Sequence, residues 1–209
     1  MTTAFELELT LAYSERRRAL AKTTGEVLAI AFAALPHLNE ENVSELAARA
    51  SAARQGQTAA AALFVAYTAR LGGSGLIVPA QVPIPPPEWR SPFISHWNQL
   101  KNGATWADAR DAGIRQAEAV GYDASIRAAD HVIETGTTSS NVRGWRRVLV
   151  GETCAWCRRV AGPLYKTKDS ALRVRHNRCD CEVVPVVGET DPGEVINADR
   201  RDAPATDAS

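Results

Sequence analysis

Hydrophobic positions in the first part of the chain recur with the period of an α-helix. From residue 5 to about residue 35, apolar residues fall on one face while the charged residues fall elsewhere. The residues on this face are Tyr13, Leu20, Val27 and Ala31. The pattern therefore predicts a long first helix, which ends at Pro36 because proline cannot continue a helix.

A second stripe is the most regular pattern in the sequence. Its members alternate steps of four and three: Leu46, Ala50, Ala53, Gln57, Ala60, Phe64, Tyr67 and Leu71. Asn42, with Glu45 three residues later, has the arrangement of a capping box, and Gly72-Gly73 ends the helix. Small residues in its first half predict a close helix–helix contact. This contact is either a hairpin with the first helix or an interface with another chain.

The Gly- and Pro-rich residues 72–92 are expected to lack regular structure, because the prolines of Pro83–Pro87 have no amide proton. Ser91-Pro92 is expected to open a short helix that ends near Gly103. Its apolar face would consist of Ile94, Trp97 and Leu100. Two further helices are predicted, with Thr105 and Asp123 as caps and with ends near Gly121 and Gly136.

The sequence of the last third of the chain predicts a small β-sheet. Residues 145–150, which end in Val-Leu-Val, and the valine-rich residues 181–187 are expected to form two strands. The predicted fold class is α+β and mainly helical, with N-terminal helical arms and a small C-terminal β-containing module. The predicted divisions are a helical hairpin (1–72), a linker (73–92), a helical segment (93–142), a module that contains all four cysteines (143–188) and a disordered tail (189–209).

The net charge and the hydropathy of the chain argue against some classes of function. The 209 residues include 24 basic and 24 acidic side chains, so the chain as a whole has no attraction for nucleic acid or anionic membranes. The longest apolar run, Val27 to Leu35, is far shorter than the roughly 20 residues that span a bilayer. The N-terminus lacks the pattern of a secretory signal, so synthesis in the cytoplasm is expected.

All four cysteines lie in two clusters of the last third, which predicts a zinc site. Cys154 and Cys157 form a Cys-x-x-Cys pair, and His176, Cys179 and Cys181 form the second cluster. Zinc binds thiolate sulfur and imidazole nitrogen in closed tetrahedral structural sites. Five candidates compete for four positions, so the ligands are either four cysteines or three cysteines and the histidine. Disulfides between the clusters, or free or redox-active thiols, are the alternatives.

The residues around these cysteines carry a resemblance to a known family. Gly144 to Tyr165 includes the Cys-x-x-Cys, and His176-Asn-Arg-Cys-Asp-Cys181 precedes a Val-Pro-Val strand. This region resembles the C-terminal part of MuF-like minor capsid proteins of tailed phages, also called head morphogenesis proteins, especially those of actinobacterial phages. Asp180 stands where Arg is frequent in that family. The resemblance covers residues 140–188.

The resemblance implies a virion protein that is made in the host cytoplasm and lies inside the phage head. Its expected partners are the portal protein and the major capsid or scaffold protein, with packaged DNA as a further candidate. Self-association through the N-terminal helices is another expectation. No residue is assigned a catalytic role, and no cofactor besides zinc is expected.

Some members of that family are labelled capsid maturation proteases, which gives an alternative function. Ser139 or Ser140 as nucleophile, with His131 as base and Asp130 as acid, are the candidate residues. The sequence shows no nucleophile-elbow pattern and no His-Glu-x-x-His zinc protease motif. An enzymatic role is therefore the less favoured hypothesis.

Contact with DNA is a third hypothesis, because the cysteine region is locally basic. Two tryptophans, Trp145 and Trp156, lie among the cations and would offer stacking surfaces. The cations are Arg143, Arg146, Arg147, Arg158, Arg159, Lys166, Lys168, Arg173, Arg175 and Arg178. A solvated basic surface, or one that meets an acidic portal face, would have the same composition.

Overall fold

The fold is mainly helical, with a small antiparallel sheet near the C-terminal end, which confirms the predicted fold class. The computed structural model describes residues 4–39, 42–73, 75–79, 84–135, 142–150, 155, 158, 161, 164–165 and 181–187. Within them the elements are α1 (Ala4–Ala33), α2 (Val43–Arg49), α3 (Ser51–Arg70), α4 (Pro86–Lys101), α5 (Trp106–Ile126), α6 (Ala128–Thr135), β1 (Val142–Leu149), β2 (Leu164–Tyr165) and β3 (Cys181–Val187).

The chain divides into two compact units. A helical unit comprises residues 1–67 and 76–137, and a second unit comprises residues 68–75 and 138–209, which include the sheet. Within the described part of the chain, no helix combines the length and the apolar character that spanning a bilayer requires.

Helix α1 contacts both α3 and α5 of the helical unit. The rings of Tyr13 and Tyr67 stack with their centroids 4.5 Å apart. Gly56 of α3 and Gly121 of α5 both lie against Thr24. The predicted hairpin of the first helix with the residue 46–71 stripe is thus present within one chain.

The buried face of α1 is centred about one residue away from the predicted face. Tyr13 and Ala31 are buried as expected, but Leu20 and Val27 are only half-buried. Small and polar residues occupy the interior instead: Thr10, Ser14, Arg17, Ala21, Thr24 and Gly25. Apart from Arg17, these side chains are short and allow neighbouring helices to approach closely, which the spacing of large apolar residues does not reveal.

The stripe from Leu46 to Tyr67 is buried as predicted, but Ala50 divides it between α2 and α3. The predicted cap at Asn42 is wrong: its side chain makes no capping hydrogen bond. Its side-chain nitrogen instead donates to the carbonyl of His37 at 2.8 Å. The backbone of Asn42 has φ −84° and ψ 1°, whereas a capping residue has extended backbone.

Helix α4 begins at Pro86, so the expectation of irregular structure up to residue 92 is wrong from this residue onward. Prolines are tolerated in the first helical turn because its amide groups have no partner inside the helix. Pro92 lies within α4 and removes the amide that would bond to the carbonyl of Glu88. The hydroxyl of Ser91 donates to that carbonyl at 2.9 Å and replaces the lost hydrogen bond.

Helix α5 begins as predicted: the Thr105 hydroxyl accepts a hydrogen bond from the Asp108 amide at 3.2 Å. The predicted end at Gly121 and the predicted cap at Asp123 are both wrong, because α5 continues to Ile126. Gly121 serves helix packing instead of termination. A β-carbon on it would lie 2.8 Å from the carbonyl oxygen of Thr24 in α1.

Apolar side chains of several helices pack together in the core of the helical unit. The rings of Phe32 and Phe93 meet edge to face with their centroids 5.2 Å apart. Trp89 donates its indole N–H to the carbonyl of Ile84 at 3.0 Å, which ties the start of α4 to the segment before it. Both Ile84 and Trp89 belong to the same buried cluster as the two phenylalanines.

Candidate metal centre

The sheet has the order β2-β1-β3, and both outer strands run antiparallel to β1. The first and last strands confirm the two strands predicted from the sequence, whereas the two-residue β2 was not predicted. In β3, Val183 pairs with Arg147 and Cys181 pairs with Leu149. Cys181 therefore lies at the end of the sheet from which β1 leads toward Cys154.

The pairing of Leu149 with Cys181 limits the distance between Cys154, which starts the first cluster, and Cys181, which ends the second. Cys154 follows Leu149 by five residues, which span at most about 18 Å when fully extended. The connection from β1 to β2 contains Cys154 and Cys157, and the connection from β2 to β3 contains His176 and Cys179. The two clusters thus belong to the connections that adjoin the strand ends at which Leu149 pairs with Cys181.

The predicted ligands themselves lie largely outside the described residues. Cys154, Cys157, His176 and Cys179 are outside them, and Cys181 is described only as part of the β3 backbone. Among the side chains that the structure does describe, no cluster of three or more potential metal ligands occurs. The zinc site and its ligand set stay a prediction.

Buried charged residues support the sheet on both of its faces. Arg147 is 2% exposed and lies on the same face as Trp145, while Arg146 and Glu182 are buried on the opposite face. Arg146 pairs with Val184 and Val148 pairs with Glu182, so Arg146 and Glu182 occupy diagonal positions. Such diagonal neighbours are within reach of long side chains.

Tyr165 of β2 pairs with Trp145 and is also buried. Burial raises the pKa of the Tyr165 phenol above its ordinary value, because the surroundings solvate the phenolate poorly. The positive charge of Arg147 lowers this pKa, but by less than burial raises it. Tyr165 is therefore a neutral hydrogen-bonding group near neutral pH.

The proposed DNA-stacking role of Trp145 is wrong, because this side chain is buried in the central strand. Arg146 and Arg147 are buried for the same reason and do not belong to a basic surface. Arg158 is exposed. The side chain of Arg143, and the remaining residues of the predicted basic patch, lie outside the described residues: Trp156, Arg159, Lys166, Lys168, Arg173, Arg175 and Arg178.

The protease candidates are not brought together by the described structure. Asp130 and His131 are successive residues of α6, so their side chains leave the helix about 100° apart. Such neighbours do not face each other, as an acid that orients a catalytic base would have to. Ser139 and Ser140 lie outside the described residues.

Sequence patterns missed an aromatic cluster where α4 turns into α5. The buried His96 ring meets the rings of Trp97 and Trp106 edge to face, with centroids 5.6 and 5.4 Å away. The guanidinium of Arg110 lies 5.2 Å from the centre of the Trp106 ring. The signal available in the sequence was Gly103 followed by the Thr105 cap, which together predict a short turn.

Comparison with known protein families relates the chain to a family. Residues 8–202 match the family described as VG15 protein. No curated protein and no solved structure matches the chain.

Proposed function

The chain belongs to the VG15 protein family, a family of phage proteins, and we propose on this premise that it is a minor capsid protein of the phage head. The family match extends over residues 8–202, and thus includes both the helical unit and the cysteine region. The proposed role is head morphogenesis in association with the portal and the capsid or scaffold protein. The proposed location is the interior of the head.

A structural zinc ion in the second unit is part of this proposal. The observation that supports it is the pairing of Leu149 with Cys181, because Cys154 follows Leu149 by only five residues in the sequence. Thiolate and imidazole groups are the donors of closed zinc sites. Cys154, Cys157, Cys179 and Cys181 would hold the ion, with His176 as the alternative to one of them.

The size of the sheet gives a physical reason for a metal. Among the residues that the structure describes, β2 contributes two, whereas β3 pairs with β1 along most of its length. A small unit of this kind gains stability from metal binding, because binding free energy adds directly to folding free energy. Zinc would act here as a cross-link between two connections of the sheet, without a role in chemistry.

Zinc content of the purified full-length chain tests this site. We expect inductively coupled plasma mass spectrometry to detect one zinc ion per chain. The Cys154→Ser and Cys181→Ser variants should each lose that ion. His176→Ala separates the two ligand sets, because it leaves zinc in place if four cysteines bind the ion. His37→Ala, at an exposed histidine of the helical unit, is the matched control. Protein that contains no zinc contradicts the metal site.

The head role requires a separate experiment. Purified phage heads are expected to contain this chain in a constant ratio to the portal protein, measured by quantitative mass spectrometry. The chain should also co-purify with the portal protein when the two are produced together. Heads that lack the chain, together with failure to bind the portal protein, would refute the proposed role whatever the zinc content.

A further inference from the structure

Helix α4 has a second apolar face that the helical unit leaves exposed. Its exposed residues follow steps of four, three and four: Arg90, Ile94, Trp97 and Lys101, here called the α4 stripe. Ile94 is 52% exposed and Trp97 is 42% exposed, whereas Phe93 and His96 of the same helix are buried. The sequence pattern predicted that Ile94 and Trp97 lie on an apolar face of this helix. A partner that covers them would bury that face.

The first turns of α1 present a stripe of opposite charge. Leu7, Glu8, Leu11 and Glu15 are all exposed and follow helical spacing along one side; they are called the α1 stripe. Leu11 is 46% exposed, although large apolar residues of an ordinary helix face the core. Residues 4–15 include three glutamates and no basic residue, whereas the α4 stripe includes two cations and no acid.

The two stripes lie toward opposite ends of the helical unit. Arg110, in the second turn of α5, donates to the carbonyl of Ala33 at the end of α1. Phe93, the residue before Ile94, packs its ring against Phe32 near the end of α1. From Leu11 to Ala33 the axis of α1 runs about 33 Å, at about 1.5 Å per residue. Leu7 and Leu11 of one chain therefore do not reach Ile94 and Trp97 of the same chain.

We propose that the α1 stripe of one copy of this chain binds the α4 stripe of a second copy. Leu7 and Leu11 would cover Ile94 and Trp97. Glu8 and Glu15 would approach Arg90 and Lys101, which selects this pairing over contact between two like stripes. Because the two surfaces differ, the contact is heterologous and links copies head to tail into a ring or an open chain.

The size of the stripes sets the strength of this contact. Two half-exposed tryptophans, Trp97 and the neighbouring Trp106, together with Ile94 offer roughly 300 Å² of apolar surface. A stable interface buries about 800 Å² on each partner, so one contact is weak and depends on protein concentration. This inference goes beyond the proposed function, because it requires neither zinc nor a portal protein.

Sedimentation velocity of the full chain over a wide concentration range tests the contact. We expect mass to rise with concentration, and Leu11→Asp or Trp97→Asp alone to weaken association by about 30-fold or more, as for central interface residues. An equimolar mixture of these two variants keeps one intact contact and should form heterodimers that grow no further. Ile30→Asp changes an exposed apolar residue of α1 outside the stripe and is the matched control.

Charge reversal gives an independent test that leaves the aromatic cluster intact. The pair Glu8→Lys and Glu15→Lys should weaken association, as should the pair Arg90→Glu and Lys101→Glu. Mixing or combining these pairs should restore association, because the charges are again complementary. A chain that stays monomeric at all concentrations overturns the proposal, as does assembly that is unchanged in the variants. Absence of heterodimers in the Leu11→Asp and Trp97→Asp mixture overturns the head-to-tail arrangement.

Discussion

The backbone of Thr24 in α1 touches the backbone of Gly121 in α5. A β-carbon on Gly121 would lie 2.8 Å from the carbonyl oxygen of Thr24 and 2.9 Å from the α-carbon of Gly25. These distances are shorter than a β-carbon tolerates, and both neighbours are backbone atoms that have little freedom to move. The approach of the two helices therefore depends on glycine at this position.

Gly121→Ala is expected to lower the free energy of unfolding by about 1–3 kcal/mol, because it forces the two helices apart. This result would oppose helix propensity, since alanine is about 1 kcal/mol more favourable than glycine within a helix. Urea unfolding followed by circular dichroism measures the change. Ala119→Gly, at an exposed position of α5, is the control and should lose stability through propensity alone. A more stable Gly121→Ala variant would contradict the contact.

The hydrogen bond between Thr10 and Tyr67 gives a second prediction. The Thr10 hydroxyl donates to the carbonyl of Glu6 at 2.7 Å, so the Tyr67 hydroxyl donates to Thr10 across 2.8 Å. Tyr67→Phe should lower the free energy of unfolding by about 1 kcal/mol, because it removes a buried hydrogen bond. Tyr122→Phe in α5 serves as the comparison in the same urea experiment. Equal stability of the two variants would contradict a role for this hydrogen bond.

Removal of metal should affect the sheet and spare the helices. If zinc joins the two connections of the sheet, a chelator should speed hydrogen exchange in β1 and β3, because the cross-link no longer opposes local opening. Peptides of α5 should keep their protection. Exchange followed by mass spectrometry, with and without chelator, measures both regions in one sample. The Cys181→Ser variant should show fast exchange without chelator. Protection of β1 that does not respond to chelator would count against a structural ion.

Tyr165 predicts a loss of stability in alkaline solution. Burial raises the pKa of Tyr165 in the folded chain above the unfolded value of about 10. The stability that this shift contributes is present below pH 10 and is lost as pH rises through the folded-state pKa, because the unfolded chain then releases its proton more readily. Thermal unfolding at pH 8 and above pH 10, with Tyr165→Phe as the control, measures the effect. The control should lose less stability over this range.

Local patterns in the sequence were sufficient for several elements. Thr105 begins α5 because its hydroxyl satisfies an amide of the first helical turn, which is a local interaction. The Leu46–Tyr67 stripe is buried because its spacing repeats once per helical turn. The first and last strands were predicted from the apolar runs at residues 145–150 and 181–187. The mainly helical fold class followed from these local signals together.

Other features depend on contacts between distant residues. Gly121 reads as a helix end in sequence, but α1 lies against it and keeps it inside α5. Trp145, Arg146 and Arg147 read as a binding surface, but β2 and β3 pair on either side of β1 and the three side chains are buried.

The sequence by itself determined the helical periods, the two long strands and the cysteine clusters, because these depend on neighbours along the chain. Only the tertiary structure decided which glycines are packing sites, which aromatic residues stay exposed on α4, and that Cys181 lies beside Leu149. These outcomes depend on which segments meet in space, and a residue's preference for a helix or strand carries no information about its partner across the fold. Arg147 is buried and Trp97 is exposed, which is the opposite of what their polarity suggests. Both outcomes depend on which helices or strands pack beside them.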